Sequence, residues 1–562
     1  MATIVYFDGA QVIEPGASSA IRSLIPVPAA DGTFGNVVLI DTGSGAGYGY
    51  GSGINGSLKQ GTDTIYQFFD PASMKAAVRG GTLWDIADYL FSPSPNQSGA
   101  ASVYFIKAAT TVAATLALTF TVTGAVAAGI INIKPRTEGA CANGVSTTNT
   151  SGIAVCTRGY ACKVRAGIIN ATAVIVDFYE GAYRGQDENG YELDVAENLL
   201  SPNLIWSSPE VTTCNALITA MNADTVFTGK FLISSTTASS VPFDSYTVSH
   251  PTGLQLFAGG TTVYNAADVD AVLTAIQDLD NSQFLLDNWG KTPTGSPDPT
   301  LGINKGAMCV ANQKVMAHIA ADAFYKQKMA FMGGGEAQAD ITNSTDGSVE
   351  IAAYYNNPLL ACIHGGVKVP AAGVAYSTRS AFFNAAMACG IAAGSQPQIP
   401  LTYKAVRIMG LKYVPSKPER IKCLQAGVIT IKQVKTLGWV INQGVNTMQQ
   451  NTAMYYPNGT SPEISIMRII HQLNKELRIN AEPLFTGQNQ NNAGETDVVT
   501  FVQGYLLGKI ATKKKDNYIM SARNVQATLV QGSWNATYCF VPNGPINKEF
   551  FTGFMVDPSL GS

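Results

Sequence analysis

Charge is what this sequence has least of. Asp, Glu, Lys and Arg make up 13% of its 562 residues, about half of the ~25% ordinary for soluble domains. Apolar residues stand at an ordinary 46%, so uncharged polar residues and glycine, 55 of the latter, fill the gap. A surface so poor in charge is adhesive in water, and neighbouring copies of the chain are expected to cover much of it. The plain alternative is a slightly oily monomer. Chemical motifs are equally sparse. The nine cysteines form no CxxC pair and no Cys/His spacing for zinc. There is no Walker A run ending in Gly-Lys-Ser/Thr and no GxSxG elbow. The four histidines, His250, His318, His364 and His471, stand in unrelated contexts. No catalytic residue, cofactor or metal is therefore expected.

Two further absences bear on location. The first sixteen residues have neither the basic start nor the apolar core of a signal peptide, so synthesis and folding in the cytoplasm are expected. The charge-free span between Lys107 and Lys134 holds Leu116, Leu118, Phe120 and Val122 alternating with small or hydroxyl residues. Its period of two marks a half-buried strand rather than a membrane helix. The cysteines are expected mostly as small core residues. Cys141, Cys156, Cys162 and Cys214 stand near one another in sequence, and bridges among them are an option for a particle that leaves the reducing cytoplasm.

What charge there is lies unevenly. Residues 401–562 hold 17 Lys and Arg against 9 Asp and Glu, a net of +8, whereas residues 1–400 carry −11. A basic end on an acidic body is the pattern of one surface that meets an acidic partner.

The chain is long enough for two to four domains. Residues 1–35 read as an extended arm with the short apolar run Ile4, Val5, Tyr6, Phe7. Residues 36–110 and 251–400 read as an α/β body: strands at Val37–Ile40, Val103–Ile106, Phe284–Asp287 and Met329–Met332, with helices at Thr82–Phe91, along Val269 to Leu279, and near 311–326. Residues 111–250 are β-rich and Thr-rich, with a strong strand at Ala171–Tyr179, and form a middle layer or insertion. Residues 401–545 are the basic α/β unit. Ile466, Ile469, Ile470, Leu473 and Leu477 make one helical stripe there, Val498, Phe501, Val502, Tyr505, Leu506 and Ile510 a second, and strands follow near Val525–Val530 and Thr537–Val541. Residues 546–562 form a C-terminal arm carrying Phe550, Phe551, Phe554, Met555 and Val556. The fold class is thus mixed α/β and multidomain, with helix-covered mixed sheets and a strand-like arm at each end.

In this order, several short motifs resemble those of contractile tail sheath proteins of phages and related injection devices. They are Glu14–Gly16, the turn Gly139–Gly144, Gly259–Gly260 before a helix, Ala371–Ala375, Leu424–Ile431 and Phe540–Ile546. The resemblance runs over most of the chain. It implies a structural subunit that polymerises in many copies as a helical sleeve around an inner tail tube and contracts to drive the tube through a target envelope. It further implies a tail tube protein, a baseplate and a tail terminator as partners, no nucleic acid, no direct membrane insertion, and a place in the virion after assembly in the host cytoplasm. Terminal arms of such subunits add strands to their neighbours' sheets, which makes Ile4–Phe7 and Phe550–Val556 candidate exchanged strands. Gly9, Gly16 and Gly544 are candidate hinges. In such sheaths the C-terminal region lies innermost, and the resemblance therefore makes Lys513, Lys514 and Lys515, with Lys417, Arg420 and Lys422, candidates to face an acidic tube. The plainer reading of those lysines is a solvated helix end.

Two other classes stay open. A nucleotide-binding α/β enzyme would rest on Gly51–Gly56, which fits GxGxxG in form but follows Ile40 by about ten residues. A self-assembling shell or surface-layer protein would share the low charge and adhesive tails but would not account for the basic end.

Overall fold

The structure is a computed structural model, and it describes residues 5–7, 10–12, 35–41, 52–53, 56–57, 65–77, 81–107, 109–112, 114–122, 129–135, 142–148, 154–169, 173–181, 185–187, 192–193, 204–237, 248–249, 253–264, 266–276, 279, 282–286, 305–321, 328–343, 347–371, 374–448, 462–485, 494–510, 518–530 and 533–543. Seven strands form a central sheet. Their order in space is Val428–Ile429, Leu360–Ile363, Met329–Gly333, Ser282–Leu286, Asn36–Asp41, Ser102–Lys107 and Ile65–Phe68. Neighbours run parallel throughout except at the last edge, where Ile65–Phe68 is antiparallel.

Parallel strands need crossovers, and helices supply them on both faces. Val37, Leu39, Val103, Phe105 and Phe331 point to one face, which the helices Gly81–Phe91 and Ala381–Ala393 cover. Val38, Tyr104, Ile106, Ala330 and Met332 point to the other, under the helices Ala266–Ala275, Lys305–Ala321, Ser348–Tyr355 and Lys417–Gln425. Both faces are dry, which is why these strands read as unbroken apolar runs in the sequence.

The Ala381–Ala393 helix has every residue buried. Its sequence therefore carries no polar stripe, and the reading by periodicity passed over it. Close approach helps to seat it: a Cβ on Gly333 would lie 2.6 Å from the Phe382 backbone nitrogen. A helix that ends in a dry interior leaves carbonyls that need donors. The N–H groups of Gly394 and Ser395 serve part of this need, and Arg468, fully buried, adds a charged donor. Its Nη2 donates to the carbonyl oxygens of Ala392 at 2.7 Å and Ser395 at 2.5 Å, and a cation also suits the negative end of the helix dipole. Burial pulls the guanidinium down to about 9, which leaves it charged at neutral pH.

Val428–Ile429 comes from the stretch that the sequence divides off as 401–545, yet it is the edge strand of the central sheet. Leu401, Val406, Leu411, Ile441, Val445 and Ile464 join the same core. Gly427 makes the entry into that strand with φ +79°, and a Cβ there would meet the Asn446 carbonyl at 2.4 Å. The change of core instead falls within the helix Ile464–Phe485. Its first turn is buried in the body, and Ile469, Leu473 and Leu477 belong to a separate cluster with Val502, Leu506, Tyr518 and Ile519.

Between the paired strands Ala109–Val112 and Thr261–Tyr264, residues 114–258 have a core of their own. Two four-stranded antiparallel sheets enclose Phe178, whose ring lies 4.9 Å from that of Phe231 and 5.3 Å from that of Phe227. Cys156, Cys162 and Cys214 are buried free thiols there. None of these three is bridged in this structure; Cys141 lies outside the described residues. His364 and His471 are likewise core residues, and burial pushes both down to about 4, so they are neutral. His364 Nδ1 lies 2.8 Å from Ser348 Oγ. Among the described residues no helix is long and apolar enough to cross a membrane, and no three His, Cys, Asp or Glu are grouped to hold a metal ion.

Arg468→Leu would leave the Ala392 and Ser395 carbonyls without this donor in a dry interior. It is expected to lower the unfolding free energy by about 3 kcal/mol, measured by urea denaturation followed by circular dichroism. A change below about 1 kcal/mol would remove Arg468 from this role.

Candidate assembly interface

The C-terminal unit ends in an antiparallel hairpin, Ile519–Val530 with Ser533–Pro542. Its strands have 12 and 10 residues, about twice the usual length. A two-stranded ribbon does not hold its shape alone, and two helices support this one. Ala522, Val525, Tyr538 and Phe540 turn inward onto Leu473, Leu477, Val502 and Leu506. Met520, Leu529 and Val541 stay exposed. Among the described residues the two strands pair with each other, and beyond that only a bridge between Ile510 and Ile519 touches the ribbon's edges. Among the described residues, the outer edges of both strands therefore keep most of their backbone N–H and C=O groups without a strand partner.

A polar network pins the helices beneath the ribbon. The Glu476 carboxylate accepts from the Tyr505 hydroxyl, from Lys509 Nζ at 2.8 Å and from Gln472 Nε2 at 2.6 Å. Lys509 also lies over the rings of Tyr505 and Tyr518 at 5.3 and 5.0 Å. The Tyr538 hydroxyl bonds Asn474 Oδ1, which ties the ribbon to the Ile464–Phe485 helix. Burial alone would raise the Glu476 carboxyl, but the bonds from Lys509, Tyr505 and Gln472 outweigh it and hold the group below its ordinary value.

Three of the basic candidates lie elsewhere. Lys417, Arg420 and Lys422 are on the body helix Lys417–Gln425, with Lys417 and Lys422 exposed and Arg420 half-buried. Arg420 Nη1 donates to the Pro415 carbonyl. The neighbouring acid, Glu419, is taken up by Ser416, Tyr413 and Gln338, whose hydrogen bonds hold it down to about 2. Residues 401–437 carry eight Lys and Arg and Glu419 as their one acid. Exposed Tyr403, Met409, Val414, Ile421 and Leu437 lie in the same stretch. Lys513, Lys514 and Lys515 fall outside the described residues, as do Ile4, the C-terminal arm from Phe550 to Val556, and Gly9, Gly16 and Gly544.

Val5–Phe7 is a strand, and it pairs with Ala10–Val12 of its own chain. The reading of 1–35 as an extended arm missed this fold-back, although Asp8-Gly9 between two apolar runs is a hairpin signal. Within and beside the Gly51–Gly56 run, Ser52–Gly53 pairs antiparallel with Gly56–Ser57. A dinucleotide loop would lead from a strand into a helix. Two of the short sequence motifs meet in space: Asn143 Nδ2 donates to the Gly260 carbonyl at 2.8 Å, and Gly260 N–H donates back to Asn143 Oδ1 at 2.7 Å.

No protein-family model matches the sequence. A tail sheath protein of Bacillus phage SP01 is 24% identical over 205 residues, which are 36% of this chain and 34% of that protein. This chain is similar to a tail sheath protein. The match spans about a third of the curated relative. Among solved structures, a sheath tail protein from Desulfitobacterium hafniense is 12% identical, with 94% of this chain and 99% of that one covered and a TM-score of 0.45. The helical sheath of the anti-feeding prophage in its contracted state gives 14%, 53%, 79% and 0.35 for the same four measures.

Glu476→Gln is expected to loosen the ribbon's support by about 1–2 kcal/mol at pH 7, read as faster hydrogen exchange in 519–542. Because the folded carboxyl sits below its unfolded value near 4.5, its contribution is present at neutral pH and is lost as pH falls through the folded value. The variant and the parent should therefore converge in acid; a constant gap down to pH 2 would contradict the role.

Proposed function

We propose that this chain is the structural subunit of a contractile tail sheath. It polymerises as a helical sleeve around an inner tail tube and contracts to drive that tube through a target cell envelope. The observation that carries the reading is the open-edged ribbon Ile519–Pro542 in a chain similar to a phage tail sheath protein. Each copy offers two strand edges and brings two strand-like arms, so arms and edges balance when every copy both gives and receives. Val5–Phe7 supports this as a strand former, and Phe550–Val556 is the second arm by its sequence.

The role is structural rather than enzymatic, with energy stored at assembly and released as contacts form during contraction. The basic stretch 401–437, with Lys417, Arg420 and Lys422, suits an acidic tube, and Lys513–Lys515 are added to that face by sequence. A baseplate and a terminator complete the set of partners. The particle is a phage tail or a related injection device, assembled in the host cytoplasm.

Deleting residues 1–13, or those after Phe550, is expected to abolish sleeves in negative-stain electron microscopy while leaving folded, soluble subunits. Sleeves of normal length from either truncation would contradict strand exchange. Lys417→Glu with Lys422→Glu should leave sleeve formation intact and weaken attachment to the tube about tenfold or more at low salt; unchanged attachment would take this helix off the tube-facing surface.

A further inference from the structure

The first arm is occupied before any neighbour arrives. Val5 stands opposite Val12, Tyr6 opposite Gln11 and Phe7 opposite Ala10, all antiparallel within one chain. Phe7 opposite Ala10 leaves two residues, Asp8 and Gly9, to connect the strands. Two-residue connections that match strand twist need left-handed backbone at their centre, and Asp-Gly is among the few pairs that take it readily. Three residues per strand make a marginal hairpin. The pairing is therefore weak enough to open, yet while closed it occupies backbone groups that an exchanged strand would use.

An extended arm and a folded arm fit the ribbon differently. Laid out straight, residues 4–12 reach about 30 Å, close to the span of a ten-residue strand. With Val5–Phe7 paired to Ala10–Val12, the same residues cover about a third of that edge. The extended form makes far more main-chain hydrogen bonds to the acceptor, so exchange favours opening. The folded form keeps free arms from pairing with one another in solution.

We propose that the Val5–Val12 hairpin is a self-paired storage form of the N-terminal arm, which must open before the arm joins a neighbouring copy, so that its stability sets the concentration at which subunits polymerise. The inference rests on the strand-exchange reading above. If only a fraction of subunits has the arm open, the apparent affinity between copies falls by that fraction. Changes at the turn should therefore move the critical concentration and leave the finished sleeve unaltered.

The test uses the full chain and reads the critical concentration by sedimentation, with electron microscopy of the pellets. Gly9→Val removes the residue suited to the turn and should lower the critical concentration about threefold. Asp8→Asn keeps a favourable turn pair and should leave it equal or higher. Val5→Cys combined with Val12→Cys puts two thiols at facing positions of the register. Oxidation, checked by mass spectrometry, should then lock the hairpin, raise the critical concentration at least about tenfold, and be reversed by reductant; the wild type, which has Cys539 exposed, is carried through the same oxidation.

Failure of the cross-link to form, an unchanged or raised critical concentration in Gly9→Val, or normal assembly of the locked subunit would each overturn the proposal. The last result would mean that the arm docks as a closed hairpin. Deletion of residues 1–13 separates the two levels. If the deletion still assembles, strand exchange itself fails; if it does not assemble while the turn variants are neutral, only the storage hairpin fails.

Discussion

The buried contact between Arg468 and the carboxyl end of the Ala381–Ala393 helix is the constraint on which the rest depends. That helix is apolar all round and fills one face of the central sheet, so its last carbonyls end in a place that water does not reach. The donor comes from the helix that leads out of the body and carries the C-terminal ribbon. One guanidinium thereby ties the exit helix to the carboxyl end of the buried one. Both bonds come from the same Nη2, so an apolar side chain here would remove one charged donor from the Ala392 and Ser395 carbonyls together.

The Ile464–Phe485 helix, about 33 Å from end to end, passes from the body core to a separate cluster under the ribbon. Body and ribbon therefore share one helix, with the Glu476, Tyr505 and Lys509 network at its far part. In the proposed sleeve this has a mechanical meaning. Arms and ribbons connect the copies, and the Ile464–Phe485 helix links the body to that connection. The low charge of the chain suits the same arrangement, because a surface covered by neighbours does not need the charges that keep monomers apart.

Much of this was legible in the residues. Strands with both faces dry read as apolar runs at Val37–Ile40 and Val103–Ile106, and the stripes Ile466 to Leu477 and Val498 to Ile510 gave the two C-terminal helices. The Ala381–Ala393 helix was not legible, because periodicity needs a polar face for contrast. The division at residue 400 missed the Val428–Ile429 edge strand, since two residues carry no pattern. The hairpin at Val5–Val12 was passed over by weighing the apolar run and not the Asp8-Gly9 between its strands. The role of Arg468 had no signal, because its partners are backbone carbonyls more than seventy residues away in the chain.

Helical reconstruction by cryo-electron microscopy of the assembled full-length protein, at a resolution that traces main chain, tests the central claim most directly. The account predicts that Ile519–Val530 and Ser533–Pro542 form the inner pair of a larger sheet, whose outer strands belong to the arms of other copies. Ribbon edges that face solvent or side chains alone, in a polymer held together by other surfaces, would contradict it.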